Sequence, residues 1–264
     1  MSVSRRTRQK ELKKNIYTVI IIAIFAVLVF SINSVGKFIA TKIIQPVANF
    51  TGIKNEKIST DTLKTKKLTL YLVSAGEMPT QAEAETLRTF VVEKGGGGYI
   101  FNQDGTYNVI FSVFKDKESA EEKGQALTGD FAPSVITVTI EETVIKVTGK
   151  SSQLKTIHSC FTLLNDIALT LEDISNQVLT DKSSNLEASK ELQKLKNSIQ
   201  EVQAQLEELS SSNTKVLAVS DMLVLSQTLL NQMPTSDDSS FKQKLNYTAC
   251  AYACEFYKFY CSLE

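Results

Sequence analysis

Residues 68–114 read LTLYLVSAGEMPTQAEAETLRTFVVEKGGGGYIFNQDGTYNVIFSVF, and the order of periodicities within them decides the fold. Leu68–Ser74 is a β-favouring run of aliphatic and aromatic residues. Thr80–Lys94 then reads as a helix. Pro79 precedes it, Ala82, Leu87, Phe90 and Val91 supply its apolar positions, and Gly95–Gly98 stop it. Tyr99–Asn102 and Tyr107–Phe114 are strands joined around Asp104-Gly105, a pair typical of tight hairpins. Working outward, Lys115–Leu127 is a second helix with a charged outer face. Val135–Ile140 (VITVTI) returns to β-branched strand chemistry, and Thr143–Val147 adds a further strand. The order β-α-β-β-α-β predicts an α+β fold, a ferredoxin-like antiparallel sheet with both helices on one face and the other face free.

C-terminal to this block the period changes. Leu154, Ile157, Phe161, Leu164, Ala168 and Leu171 step by three and four, as do Leu192, Leu195, Ile199, Val202, Leu206 and Leu209. Val216, Val219, Leu223, Leu230 and Met233 form a third stripe, and Leu245, Ala249, Tyr252, Phe256, Phe259 and Leu263 a fourth. Breaks fall at Asp181–Ser184, Ser210–Asn213 and Met233–Ser240. Residues 150–264 are therefore expected to form a C-terminal helical bundle or hairpin. Lys190–Glu208, with its narrow apolar seam, also suits an intermolecular coiled coil.

The N-terminal part has a different character. Residues 1–15 carry Arg5, Arg6, Arg8, Lys10, Lys13 and Lys14 against Glu11 alone. Ile16–Ile32 is uncharged and apolar, and the uncharged run continues to Gly36. That pattern predicts a basic cytoplasmic tail followed by a single N-terminal transmembrane helix over 16–36, a retained anchor in preference to a cleaved signal. The expected location is the cell membrane, single-pass, with the N-terminus cytoplasmic and the bulk extracytoplasmic. Residues 37–66, polar and Lys/Thr-rich beyond Phe50, read as a juxtamembrane segment and linker.

Two half-motifs within 67–149 carry a family likeness. Val73-Ser-Ala-Gly76-Glu-Met78 precedes a helix containing Gln81-Ala-Glu-Ala-Glu-Thr-Leu87, and Tyr107-Asn-Val-Ile-Phe-Ser-Val-Phe114 precedes the charged Lys115–Glu122. The region resembles the SPOR (sporulation-related repeat) family of peptidoglycan-binding domains. Val73, Gly76, Tyr107, Val109, Phe114 and Ala120 fit its pattern. Ser74 stands where the family has Gln, Met78 where it has Phe, Asn108 where it has Arg, Ser112 where it has Gly and Val113 where it has Pro. The resemblance implies a cell-envelope protein binding peptidoglycan glycan strands, in cell division or sporulation. Strand side chains alternate, so with Val73, Val109 and Phe111 facing the helices, Leu72, Ser74, Asn108, Ile110 and Ser112 point outward. This neutral face is the candidate glycan site. Its aliphatics equally suit a protein contact, and the alternative function is an envelope scaffold assembling through the sheet face and C-terminal helices, with partner proteins or with itself.

The remaining groups point away from catalysis. Lys+Arg and Asp+Glu both number 29, which gives no electrostatic signature of a nucleic-acid partner. Gly95–Gly98 lack the Lys-Ser/Thr pair of a phosphate loop and read as a turn. His158, the single histidine, has Cys160 two residues on, and residues so spaced do not share a helix face. Cys250, Cys254 and Cys261 share one helix face and read as small apolar packing residues rather than a metal site, with a disulfide from Cys160 to one of them a further option. Glu83, Glu85, Glu121, Glu122, Glu141, Glu142, Glu207 and Glu208 read as solvated faces. No catalytic residue, metal or cofactor is expected.

Overall fold

The computed structural model describes residues 58–142, 144–207 and 214–263 of the 264-residue chain. The elements are β1 (Ile58–Lys64), β2 (Leu68–Met78), α1 (Gln81–Glu93), β3 (Tyr99–Gln103), β4 (Thr106–Phe114), α2 (Lys117–Leu127), β5 (Ser134–Ile140) and β6 (Val144–Lys150), then α3 (Ser151–Leu179), α4 (Asn185–Glu207), α5 (Thr214–Asn231) and α6 (Phe241–Cys261). Local chemistry accounts for the boundaries. Thr80 caps α1 by accepting from the Glu83 N–H at 3.3 Å, and Asp116 caps α2 by accepting from Ser119 N–H at 2.8 Å. Between β3 and β4, Asp104 and Gly105 both have positive φ, 52° and 85°, as a two-residue hairpin turn with the strands' own twist requires.

The main sheet is antiparallel with order β3-β4-β2-β5. On one face α1 and α2 cover a core of Val73, Ala75, Ala84, Val91, Val109, Phe111, Ala120 and Leu127. On the other face Leu70, Leu72, Phe101, Ile110, Val113, Val138 and Ile140 join a larger core shared with α3 to α6. α6 lies between the sheet and the other helices, against β3, β4 and β5 on one side and α3 and α5 on the other. Its middle is buried on every side: Leu245, Tyr252, Phe256, Cys250 and Cys254 are all fully enclosed.

A second, two-stranded sheet pairs β1 with β6. β1 arises from the polar stretch expected to be linker. Of its seven residues only Leu63 is buried, so its apolar pattern is nearly silent. Pairing along Ile58↔Lys150 to Lys64↔Val144 and packing of Ile145 and Val147 against α3 make it a strand.

The expected fold class is corrected here. The fold is α+β with six helices and two sheets among the described residues, and none of these helices is long and apolar enough to cross a membrane. The segment 16–36, expected to be a transmembrane helix, lies outside the described residues. The C-terminal helices share one core with the sheet. The narrow seam of α4, which also suited an intermolecular coiled coil, is filled within the chain: Ala188, Leu192, Leu195, Ile199 and Leu206 are buried, with α3 and α5 as neighbours.

Candidate functional site

The five residues expected on a free sheet face are all buried. Leu72, Ser74 and Ile110 have no exposed surface, Ser112 has 1% and Asn108 4%. Four of them do share a face. Leu72 and Ile110 belong to the core under the C-terminal helices, Ser74 is paired with Ile110, and Asn108 is paired with Phe101 of that core. Ser112 does not join them. The β2–β4 register runs Val73↔Ser112 and then Ser74↔Ile110, which leaves Phe111 as an extra residue in β4. That bulge reverses the alternation, so Ser112 sits opposite Val73 and faces the α1/α2 side.

The cover over this face is fitted rather than loosely apposed. Asn246 of α6, with no exposed surface, donates its amide to Phe111 O at 3.0 Å and Gly95 O at 3.3 Å. Gln243 donates to Gly97 O at 3.4 Å. From α3, Asn176 donates to Val113 O at 3.0 Å, and Glu172 accepts from the Lys115 N–H at 3.1 Å. These polar links satisfy backbone groups at the sheet margin while aliphatic and aromatic side chains fill the centre. At the β3 edge the Tyr99 hydroxyl donates to Glu255, and its ring meets Tyr247 edge-on at 5.9 Å. Burial, then the Glu255 carboxylate, holds the Tyr99 phenol above its ordinary range.

The four glycines after α1 belong to this fit. They are the turn expected, with a further packing role. A Cβ on Gly97 would stand 2.9 Å from Cys250 Sγ and 3.1 Å from the Asn246 carbonyl oxygen. A Cβ on Gly96 would stand 2.5 Å from Val91 and 2.7 Å from Phe111, in the other core. Adjacent glycines thus admit close approach on opposite faces of one sheet.

Some polar groups remain inside. Asn108 Oδ1, Ser112 Oγ and Ser134 Oγ are buried without a protein partner, and Ser74 Oγ closes locally on Gly76 O at 3.0 Å. Glu172 is 3% exposed, and burial raises its carboxyl pKa against the opposing pull of Lys115 and Asn176. All four cysteines are free. Cys160, Cys250 and Cys254 are packed as small apolar residues, and burial pushes the Cys160 thiol up to about 12, whereas Cys261 is exposed. Among the described residues no group of His, Cys, Asp or Glu is arranged to hold a metal. His158 is exposed beside a cleft of about 80 Å³ lined by Leu63, Lys66 and Asn165, with Cys160 buried away from it.

Sequence reasoning took this sheet face as free and left open whether the chain's own helices cover it. The signal was present: LTLYLV, NVIFSVF and SVITVTI are apolar at successive as well as alternate positions, the mark of strands buried on both sides. In α6, Ala249-Cys250 and Ala253-Cys254 put small residues one turn apart, as close helix–sheet approach requires.

Part of the chain is weakly similar to a peptidoglycan-binding domain. A solved structure that matches is the solution structure of the peptidoglycan binding domain of the B. subtilis cell wall lytic enzyme CwlC, 25% identical, covering 28% of this chain and 94% of that one, with a TM-score of 0.24. No family model and no curated protein matches the chain.

Proposed function

We propose that this chain is a non-enzymatic cell-envelope protein in which a SPOR-like sheet seats the chain's own helices, and that it works as an assembly scaffold through the surfaces left outside that contact. The observation behind the reading is the closed sheet face, with Gly97 lying against Asn246 and Cys250. A glycan strand needs reachable hydrogen-bonding groups, and Leu72, Ser74, Asn108 and Ile110 offer none to solvent. Apolar side chains instead stay bare on the helices. Leu217 and Val224, one heptad apart on α5, are 51% and 53% exposed beside a groove of about 320 Å³ lined by Met222, Leu225 and Phe259. Such surfaces suit protein contacts.

Peptidoglycan binding is the second reading, favoured by the six matches to the family pattern at Val73, Gly76, Tyr107, Val109, Phe114 and Ala120. It requires either a surface outside the sheet face or displacement of α6. Division or sporulation is the setting that the resemblance implies for both readings. Co-sedimentation of the full chain with peptidoglycan stripped of stem peptides separates them. The scaffold reading expects no more chain in the pellet than a non-binding control leaves there. Saturable sedimentation would replace it with the second reading.

A further inference from the structure

The four-stranded sheet ends in two edges, β3 and β5, and they are built differently. β3 is five residues long and closes at once into the Asp104–Gly105 turn. β5 is seven residues, SVITVTI, paired with β2 from Leu68↔Ile140 to Ser74↔Ser134 without a register shift. Among the described residues its outer side therefore presents a straight row of backbone N–H and C=O groups. Protein edges are ordinarily blunted by lysine, proline, a bulge or a covering element. The strands of the smaller sheet follow that rule, with Asp61 and Lys64 in β1 and Lys146 and Lys150 in β6. β5 has no charge, proline or bulge. Thr137 is exposed, and Ser134, Val135, Ile136 and Thr139 are half-buried. The carboxylates just beyond it are neutralised within the chain, Glu141 by Lys67 at 2.9 Å and Glu142 by Lys64 at 3.7 Å.

We propose that this edge pairs antiparallel with β5 of a second copy of the chain, about a two-fold axis at Thr137, joining two sheets into one. The strand is its own complement in that register. Ile136 falls opposite the partner copy's Val138, Val135 opposite Thr139, and Thr137 opposite its own counterpart. Faces match as well as residues. Ile136 and Val138 are paired with Leu72 and Leu70 on the α6 side, while Val135 and Thr137 are paired with Val73 and Tyr71 on the α1/α2 side. A two-fold axis perpendicular to the sheet keeps those sides aligned, so each copy's helical layers continue over the other's strand. A slip by one residue would set apolar groups of one copy against the wrong layer of the other. This self-complementarity singles out a second copy over an unrelated extended peptide.

The inference extends the assembly reading and falls separately from it. Two differently tagged copies of the full chain are co-expressed, one is captured, and the other is quantified. Wild-type copies are expected to co-purify. With Thr137→Lys in both copies, recovery is expected to fall by about tenfold, since two like charges then meet directly across the strands. Pairing Thr137→Lys with Thr137→Glu is expected to restore recovery. Thr137 is exposed, so a retained cooperative unfolding transition in each variant separates lost pairing from lost folding. Wild-type copies that do not co-purify overturn the proposal. Copies that co-purify regardless of Thr137→Lys, or a mixed pair that is not restored, overturn the edge contact while leaving assembly through other surfaces standing.

Discussion

The two faces of the main sheet are both buried, yet by different means. The α1/α2 face is covered by helices from the same stretch of chain, and its core is small, built around Val73, Ala75, Ala84, Val91, Val109 and Phe111. The other face is covered by α6 and α3, which follow in sequence only after the sheet is complete, and its core runs on into the helical bundle. The first face makes a βαββαβ domain; the second removes the open sheet on which a glycan-binding reading depends. A resemblance confined to the strands and local helices carries information about the first face alone.

Breaking the distant cover at its centre should have the largest effect. Tyr252 is fully buried, stacks on Phe256 at 5.4 Å and donates its hydroxyl to Leu164 O at 2.8 Å. Tyr252→Ala is expected to destabilise the chain by about 3–5 kcal/mol in denaturant unfolding. The adjacent glycines sharpen the contrast between faces. Gly97→Ala and Gly96→Ala should each cost about 1–3 kcal/mol by overpacking. Only Gly97→Ala should speed native-state labelling of the Cys250 thiol, because Gly97 touches α6 whereas Gly96 touches Val91 and Phe111. Equal labelling in both variants would mean that the two cores are not separate.

The smallest effect concerns Glu172, where α3 fastens the end of β4. Its folded pKa lies above the ordinary 4.5. The folded state then holds the proton more tightly than the unfolded chain does. Its contribution to stability is fully present below pH 4.5 and is lost as pH rises through the higher folded value. Glu172→Gln keeps an acceptor for the Lys115 N–H and carries no charge. Melting curves of the variant should accordingly lack this part of the decline with rising pH, and an unchanged pH profile would show that Glu172 does not titrate as its burial implies.

What was legible in the sequence follows the same division. Pro79 ahead of α1, the glycines behind it and the Asp104–Gly105 turn act over a few residues, so they fix the local elements wherever those elements later pack. The break at Asp181–Ser184 likewise separates α3 from α4. Three features depend on distant partners and escaped a local reading. β1 exists because β6 pairs with it, the bulge at Phe111 turns Ser112 to the opposite face, and the sheet face is closed by residues more than a hundred positions away, such as Asn246 donating to Phe111 O. Of the five candidate residues, Leu72, Ser74, Asn108 and Ile110 lie on one sheet face and Ser112 on the other, and all five are buried.

The closed face is tested most directly by native-state thiol labelling of the full chain, whose four cysteines report on it without mutation. Cys250 and Cys254 lie on the fully buried part of α6, Cys160 is buried on α3, and Cys261 is exposed. One thiol, Cys261, is expected to react promptly, with the other three reacting only as the protein unfolds. Prompt labelling of Cys250 and Cys254 in the folded protein would show that α6 leaves the sheet and would contradict the account.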